Sequence, residues 1–332
     1  MKAIKKLAAV ILAAALAFSL AACNGENAGE TTTTEPVTYP PVTSAPIYVS
    51  KLAALYGPYG MPSTVIAQDR AYAFDVSFHS SISEVSEAMK SGSVELATLP
   101  LKNALKLYNE TEGKIKILSV SNLNIIYVLQ KGDSVKSLSD LDGKKVLTSG
   151  KDMFNDKVVN YIFEKAGVSP DIEYTESYDD LVRIDAEIIL VPEPHMSLLK
   201  HTNSNYSVAV DFGTEWEKLF GTKYAQACLV ATDEYIESHP EELNNFMLYY
   251  EVAVNFLTKS GNDSGYAAPP LMEYGFYQNP NLALEAIDSS GCVFITGEEM
   301  KKIVNANIEQ LLVFDSDFAG TSAPGDAIFY NW

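Results

Sequence analysis

Hydrophobic and polar residues along this chain alternate in two periods, one typical of strands and one typical of helices. Short apolar runs predict β-strands at residues 46–52, 73–78, 94–99, 115–120, 125–129, 146–148, 171–174, 187–191 and 226–231. Apolar residues three or four positions apart predict helices at residues 63–71, 81–89, 101–108, 153–165, 178–184, 243–259, 280–286 and 297–312. This alternation of strands and helices predicts an α/β fold with mainly parallel sheets.

The first 22 residues have the pattern of a secretory signal peptide. Three lysines precede an unbroken apolar run over residues 7–20, and small residues then lead to Cys23. The run is shorter than the roughly 20 residues that span a bilayer, which argues against a retained membrane anchor helix. The sequence Leu-Ala-Ala-Cys resembles the bacterial lipobox, in which the cysteine is lipidated. We therefore expect export and a lipid anchor at Cys23, on the outer face of the cell membrane or in a periplasm if the cell has an outer membrane.

Residues 23–45 are rich in Thr, Pro and Glu and have no apolar period. Such a segment cannot bury enough surface to offset its ordering entropy, and its prolines favour an extended spacer. We interpret it as a tether between the lipid and a folded domain, with ordinary N-terminal disorder as the alternative.

The charge and the cysteines of the chain exclude some classes of protein. The formal charge is −19, and removal of Lys2, Lys5 and Lys6 with the signal peptide would make it −22. A surface this acidic repels phosphate backbones, so we expect no nucleic-acid partner. Beyond Cys23 the chain has only Cys228 and Cys292, which could pair after export or remain buried thiols.

Five stretches, taken in chain order, resemble the solute-binding proteins of ABC transporters. The likeness is greatest to the branch that binds nitrate, sulfonates and thiamine precursors. The stretches are residues 55–61 (LYGPYGM), 100–104 (PLKNA), 135–146 (VKSLSDLDGKKV), 235–241 (YIESHPE) and 314–330, with its Pro-Gly-Asp and Phe-Tyr. Together they span nearly all of residues 46–330.

The resemblance implies a two-lobed periplasmic-binding-protein type II fold with a ligand cleft between the lobes. Lobe one would comprise residues 46–124 and 233–332, and lobe two residues 125–232. Residues 127–129 and 229–231 would be the two strands that cross between them. The expected partners are a small-molecule ligand and an ABC permease with its ATPase, and the expected protein is a monomer without cofactor or metal.

Loops that follow the predicted strands supply the candidate ligand contacts, because ligands of open α/β sheets bind at the carboxyl ends of strands. The candidates are Tyr56, Tyr59, Met61, His79, Ser80, Thr98, Asn103, Asn122, Ser149, Lys151, Phe154, Glu193 and His195. Each has a structural alternative, such as packing over a turn, capping a helix or pointing into solvent. Neither arginine of the chain, Arg70 or Arg183, falls in such a loop, which disfavours an anion clamp. A neutral or cationic heteroaromatic ligand, such as a pyrimidine-type vitamin precursor, is the resulting hypothesis.

Two other functions stay open at this level. The fold implied by the resemblance is also similar to that of pyrimidine-precursor synthases, which consume a bound cofactor and a histidine. Such an enzyme is expected in the cytosol, whereas we expect this chain to be exported. The chain has no Gly-x-Ser-x-Gly, His-Glu-x-x-His, P-loop or CxxC motif, and its four histidines lack metal-ligand spacing. A surface sensor or adhesion module is the second alternative, because a Thr/Pro tether suits it equally well.

Overall fold

Two β-sheets organise the part of the chain that the structure describes. The structure is a computed structural model, and it describes residues 48–68, 74–260, 265–319 and 323–332. Helices alternate with the strands along the chain, so the predicted α/β class is confirmed. The predicted signal peptide, the tether and Cys23 lie outside the described residues.

The first sheet has six strands in the spatial order β11-β4-β10-β3-β1-β2. These strands are β1 Ser50–Leu55, β2 Phe74–His79, β3 Leu96–Pro100, β4 Ile115–Asn122, β10 Ala227–Thr232 and β11 Cys292–Ile295. The helices that pack with it are α1 Met61–Gln68, α2 Ile82–Lys90, α3 Leu101–Glu110, α8 Asp233–Ser238, α9 Pro240–Asn255, α10 Ala268–Glu273, α11 Pro280–Ser289 and α12 Gly297–Leu311. We call this sheet and its helices the six-stranded half.

The second sheet has five strands in the order β7-β6-β8-β5-β9. These strands are β5 Ile126–Lys131, β6 Lys145–Thr148, β7 Asp171–Tyr174, β8 Ile188–Pro192 and β9 Tyr206–Asp211. Its helices are α4 Phe154–Ala166, α5 Tyr178–Leu181, α6 His195–Thr202 and α7 Phe212–Phe220. We call this sheet and its helices the five-stranded half.

Both sheets are mixed, which corrects the prediction of mainly parallel sheets. In the six-stranded half β1 pairs in parallel with β2 and β3, whereas β10 runs antiparallel to both β3 and β4. In the five-stranded half β6 is parallel to β7 and β8, whereas β5 is antiparallel to β8 and β9. In each half, therefore, an antiparallel strand brings its amino end to the edge where the parallel strands have their carboxyl ends.

The chain passes between the sheets just before β5 and just before β10. The residues predicted as crossing strands, 127–129 and 229–231, instead lie inside single sheets, in β5 and β10 respectively. Because β10 is hydrogen-bonded to β3 and β4, it lies in the six-stranded sheet, although the predicted second lobe had included it.

The hydrophobic core follows the predicted periodicity. Phe246 and Tyr250 of α9 are fully buried against the six-stranded sheet, as their helical spacing predicted. Cys228 and Cys292 are both buried and unpaired, so the disulfide alternative is wrong and the free-thiol alternative is confirmed. Within the described residues, no helix has the length and apolar content that a membrane span requires.

Candidate functional site

A cavity of about 200 Å³ lies where the two halves face each other. Its walls come from the loop after β1, the first turns of α2, α3 and α4, helix α5 and the segment before β10. They consist of Tyr59, Ile82, Pro100, Lys102, Asn103, Met153, Phe154, Asn155, Tyr178 and Gln226. We call it the central cavity, and its position agrees with the rule that ligands bind at the carboxyl edge of open sheets.

Gln226 joins the polar groups of the central cavity. Its side-chain nitrogen donates to the Tyr59 hydroxyl at 3.1 Å and to Asn155 Oδ1 at 3.3 Å. Its side-chain oxygen is buried and accepts no hydrogen bond from the described residues. A buried amide oxygen without a donor is costly, so this atom is an acceptor that a bound N–H or O–H group would satisfy.

Tyr59 is held over the cavity by a close backbone approach. A Cβ on the neighbouring Gly60 would lie 2.1 Å from the carbonyl oxygen of Leu55, so only glycine allows the loop to fold back onto β1 there. Burial raises the pKa of Tyr59 to about 12. The hydroxyl therefore stays protonated at neutral pH, and because it accepts from Gln226 its own proton is free for a ligand.

The cationic wall of the central cavity is neutralised. Lys102 Nζ lies 2.5 Å from Asp315 Oδ2 and 5.1 Å from the centre of the Phe154 ring. Burial alone would raise the pKa of Asp315, but its hydrogen bond to Lys102 and the charge of that ammonium hold the pKa below its usual range. Phe154 also stacks on Phe318 of the six-stranded half, with ring centres 5.3 Å apart. The cavity thus has an aromatic wall and no uncompensated lysine.

Helix α4 begins at the central cavity. Met153 at its N-cap makes no side-chain capping bond, and the N–H groups of a first helical turn have no intrahelical acceptor. These groups are donors for a ligand atom that carries partial negative charge. Together with Gln226 and Tyr59, they give the cavity both donors and acceptors.

A second cavity of about 310 Å³ also lies between the halves. Its walls are Pro194, His195, Leu198, Phe276, Tyr277, Gln278 and Leu282. We call it the side cavity. Burial lowers the pKa of His195, and Asp179, whose carboxylate lies 3.3 Å from the ring, opposes that effect.

Between helices α6 and α11 lies a contact built around a buried carboxyl group. Glu193 is only 4% exposed and accepts hydrogen bonds from the hydroxyls of Ser197, at 2.6 Å, and Ser289. Ser197 belongs to the five-stranded half and Ser289 to the six-stranded half. Burial raises the pKa of Glu193, and the serine hydrogen bonds offset only part of that effect. We call these three residues the Glu193 junction.

The structure brings four of the predicted site residues to the cavities. Tyr59, Asn103 and Phe154 line the central cavity, and His195 lines the side cavity. Tyr56 is 42% exposed, and its ring centre lies 5.0 Å from that of Phe276 at the side cavity.

The other candidates lie elsewhere, for identifiable reasons. Asn122 is fully buried and donates to the carbonyls of Pro58 and Ser290, so it supports the loop below Tyr59. Four more are buried and either pack in the core or hydrogen-bond to neighbouring residues. Met61 packs in the core, Thr98 accepts from the Leu55 amide, Ser149 donates to the Thr175 carbonyl, and Glu193 is buried in its junction.

The remaining three candidates lie at the surface, away from both cavities. His79 Nε2 lies 2.8 Å from Ser77 Oγ, Ser80 is exposed, and the exposed Lys151 lies over the Tyr174 ring. None of the three is among the residues that line either cavity.

Sequence reasoning missed Gln226, Lys102, Asn155 and Tyr178. Gln226 precedes β10, whereas the predicted ligand contacts come only from loops that follow strands. Because β10 is antiparallel, its amino end reaches the cavity edge, where Ala227 is paired with Pro100. Lys102 and Asn155 are adjacent to the predicted Asn103 and Phe154, so a wider window around each helix start would have found them.

A third cavity, of about 390 Å³, lies at the opposite edge of the six-stranded sheet. It is lined by Tyr48, Glu95 and Tyr235, among others, and by no residue of the five-stranded half. Its charged groups have mixed sign, and Glu95 accepts from the Tyr48 hydroxyl and the Lys51 amide. The described residues contain no cluster of His, Cys, Asp and Glu that could hold a metal ion.

Solved structures with a similar fold include proteins described as an ABC transporter, a periplasmic binding protein and a ligand-binding component of an import system. A structure described as an ABC transporter from Parabacteroides distasonis has a TM-score of 0.71 and 16% identity, and it aligns over 85% of this chain and 99% of its own. The periplasmic aliphatic sulphonate-binding protein of Escherichia coli has a TM-score of 0.61 and 14% identity, over 83% and 89% of the chains. The zinc-bound ligand-binding component of an ABC-type import system from Staphylococcus aureus has a TM-score of 0.59 and 13% identity, over 85% and 96%. At these identities the likeness shows the fold, which is that of periplasmic binding proteins.

The sequence itself matches one described family. The profile of the family described as NMT1/THI5 like matches residues 73–262, more than half of the chain. No curated protein has a significantly similar sequence.

Proposed function

The chain belongs to the NMT1/THI5-like family, and we propose that it is the solute-binding component of an ABC importer. In this role it captures a small molecule between its two halves and delivers it to a permease. The observation that carries the proposal is the central cavity, which takes its walls from both halves and contains a buried acceptor, Gln226 Oε1, without a donor.

The lining of the central cavity favours a neutral or cationic planar ligand, with the pyrimidine-type vitamin precursor as one example. Phe154 and Tyr178 offer ring faces, and Asn103, Asn155 and Gln226 offer amides. Arg183 is exposed beside α5, and no arginine of the described residues lines the cavity. The single lysine is already paired with Asp315, so a sulfonate or carboxylate would find no free cation there.

Ligand capture would proceed by closure of the two halves. A ligand that touches Tyr59 on one half and Phe154 on the other binds the closed state more tightly than the open one, and so shifts the population towards it. We place lobe one at residues 46–124 and 227–332 and lobe two at residues 125–226, because β10 is paired within the six-stranded sheet. The short segments before β5 and β10 would then form the hinge.

We also propose that the protein acts outside the cytosol as a lipid-anchored monomer. The basic start, the apolar run and Leu-Ala-Ala-Cys support cleavage before Cys23 and lipidation of that cysteine. Residues 24–46 would then let the domain move near its permease. Metabolic labelling with a clickable fatty acid tests the anchor. Labelling is expected in the wild type and absent from Cys23→Ser, and equal labelling of both would contradict it.

Equilibrium titration tests the ligand assignment. Purified protein is titrated with pyrimidine-type precursors, vitamins, amines and sulfonates, each followed by calorimetry. We expect saturable binding of a planar nitrogen heterocycle and at least a tenfold loss, about 1.4 kcal/mol, in Phe154→Ala. His79→Ala is the control, because His79 does not line the central cavity, and its affinity is expected to stay unchanged.

Two results would contradict the assignment. Selective tight binding of a sulfonate would overturn the ligand class, and unchanged affinity in Tyr59→Ala and Phe154→Ala would mean that the ligand does not bind in the central cavity.

Recovery of the ligand after incubation tests whether the protein is a binding protein or an enzyme. A binding protein returns it chemically unchanged, whereas turnover would indicate an enzyme.

A further inference from the structure

The Glu193 junction has a composition unlike that of a ligand site. The Glu193 carboxyl is 4% exposed, and Ser197 and Ser289 are 2% and 9% exposed, so little of the junction reaches solvent. Ser197 contributes two donors, its hydroxyl to Oε1 at 2.6 Å and its amide to Oε2 at 3.3 Å. Ser289 contributes the third, to Oε1. The junction therefore satisfies its own polar groups.

Only one of these donors comes from the other half of the molecule. Glu193 follows β8 and Ser197 lies in α6, both in the five-stranded half, whereas Ser289 ends α11 in the six-stranded half. A second hydrogen bond runs beside it, because the Tyr127 hydroxyl of β5 donates to the Ser289 carbonyl at 2.9 Å. If the halves separate, Glu193 keeps Ser197, loses Ser289 and gains water.

The protonation state of Glu193 decides whether the closed or the separated arrangement of the two halves has the lower free energy. No lysine, arginine or histidine of the described residues forms an ion pair with this carboxyl, and the charge of Lys200 on α6 acts on it only weakly. Burial of an ionised carboxylate without a cation costs far more free energy than burial of the neutral acid. The neutral acid can also donate its own proton to a serine oxygen.

Other titratable groups surround the junction. Tyr127 and Tyr277 face it, and burial raises the pKa of both phenols, so they stay neutral in the physiological range. Further out, the elements that pack here carry His195, His201, Asp211, Glu285 and Asp288. Of these, the ring of His201 and the carboxylate of Glu285 approach to 3.6 Å across the same two helices.

We propose that Glu193 is a proton-controlled latch of the cleft, which holds the two halves together through Ser289 when protonated and lets them separate when ionised. The latch rests on the proposed function, because opening and closing is the motion that ligand capture requires. The sign follows from burial. The pKa of Glu193 is raised in the closed form, so that form binds more protons than the open one, and raising the pH shifts the population towards opening.

The distance between spin labels on the two halves measures opening without any ligand. Labels are placed at Glu87→Cys in α2 and Glu164→Cys in α4, both exposed positions, in a full chain that carries Cys23→Ser. Cys228 and Cys292 are buried, and burial raises the pKa of both thiols, so they react slowly. Pulsed electron–electron double resonance is recorded at about pH 5 and about pH 8, both above the ordinary glutamate pKa of about 4.3 because burial raises the pKa of Glu193.

The wild type is expected to gain a long-distance population several-fold between the two pH values. Glu193→Gln, which keeps the shape and neutrality of the protonated acid, is expected to stay in the short-distance form at both. Ser289→Ala is expected to show more of the long-distance form than the wild type at both, because the hydrogen bond from Ser289 to Glu193 is lost and only the bond from Tyr127 to the carbonyl of residue 289 remains beside it. Glu285→Gln is the matched control on α11, and it is expected to respond to pH as the wild type does.

A pH response that persists in Glu193→Gln, or a wild type that stays closed at both pH values, would overturn the latch. Loss of the response in Glu285→Gln would assign it to the His201–Glu285 pair and would likewise overturn the proposal. These outcomes are independent of the ligand titration. A latch that responds in a protein that binds no solute would refute only the proposed function, and solute binding with a fixed distance would refute only the latch.

Discussion

The central cavity and the Glu193 junction lie between the same two halves, but their polar groups are arranged in opposite ways. At the junction, one buried carboxyl accepts from three donors of the protein. In the central cavity, Gln226 Oε1 has no donor and about 200 Å³ is open beside it. The junction is complete without a ligand, whereas the cavity is complete only with one. This difference separates the part of the cleft that closes from the part that binds.

The largest expected effect concerns the ion pair at the cavity wall. Lys102→Met should lower the free energy of unfolding by about 3 kcal/mol at neutral pH, because it leaves the buried Asp315 carboxylate without its cation. Urea unfolding measures the change. Since Lys102 holds the pKa of Asp315 below its usual range, the pair stabilises the protein at neutral pH, and this contribution is lost as the pH falls through that pKa.

The matched control for this pair is Lys136→Met. Lys136 pairs with Asp133 on the surface, where both side chains are well exposed, so the expected change is within about 0.5 kcal/mol. Equal destabilisation by the two substitutions would mean that the wall of the cavity is hydrated. The cavity would then lack the low-dielectric surroundings that distinguish it from open surface.

The next effect tests whether the Glu193 carboxyl depends on its hydrogen-bond donors at the junction. Ser197→Ala removes a hydroxyl donor from the buried Glu193 carboxyl and should cost about 1.5 kcal/mol of stability at about pH 8. The cost should be smaller at about pH 5 than at about pH 8, because a larger share of Glu193 is neutral at the lower pH and a neutral acid needs fewer donors. Ser86→Ala in α2 also removes one helix hydroxyl, yet its partner is only the Ile82 carbonyl. It is expected to change stability by less than about 0.5 kcal/mol at either pH.

A smaller effect is expected for the hydroxyl that faces the ligand. Tyr59→Phe keeps the ring but removes the hydroxyl, and the affinity for the solute should fall by about 1 kcal/mol, roughly fivefold. Tyr56→Phe makes the same chemical change at an exposed ring outside the central cavity, so its affinity should match the wild type. Calorimetric titration distinguishes them, and a loss confined to Tyr56→Phe would place the ligand at the side cavity instead.

The smallest effect on stability should accompany a clear effect on binding. Gln226→Leu removes the hydrogen bonds to Tyr59 and Asn155 but also removes a buried amide oxygen that has no donor. Because these two effects oppose each other, we expect the unfolding free energy to change by less than about 0.5 kcal/mol while solute affinity falls. Urea unfolding of the variant measures the change in stability, and titration of the same sample measures the change in affinity. A strong loss of stability would show that Gln226 is a structural group, and the contrast with the junction would then disappear.

The strands and helices with clear periods were predictable from sequence, and those with short or mixed patterns were not. Strand 171–174 was predicted at the bounds that the structure gives, because polar turns flank it on both sides. Helices α6, α7, α8 and α10 and strands β9 and β11 were missed. Helix α6 follows a Pro-Glu-Pro turn and contains two histidines and a lysine, so its apolar face is carried by few residues such as Met196 and Leu199.

The candidate site was predictable in part for the same kind of reason. Tyr59, Asn103 and Phe154 follow parallel strands, whose carboxyl ends reach the cleft, and the structure places all three at the central cavity. The direction of β10 depends on pairing with residues more than a hundred positions away, which no local pattern encodes. Gln226 was missed for this reason. Glu193 was placed at the correct strand end, but its burial depends on Ser289 from the far end of the chain.

The most direct test of the central claim is a crystal structure of the protein with the solute that the titration selects. We expect electron density for that solute in the central cavity, between Tyr59 and Phe154, with a donor of the solute within hydrogen-bond distance of Gln226 Oε1. Density in the side cavity or at the opposite edge of the six-stranded sheet, with the central cavity filled only by water, would contradict it.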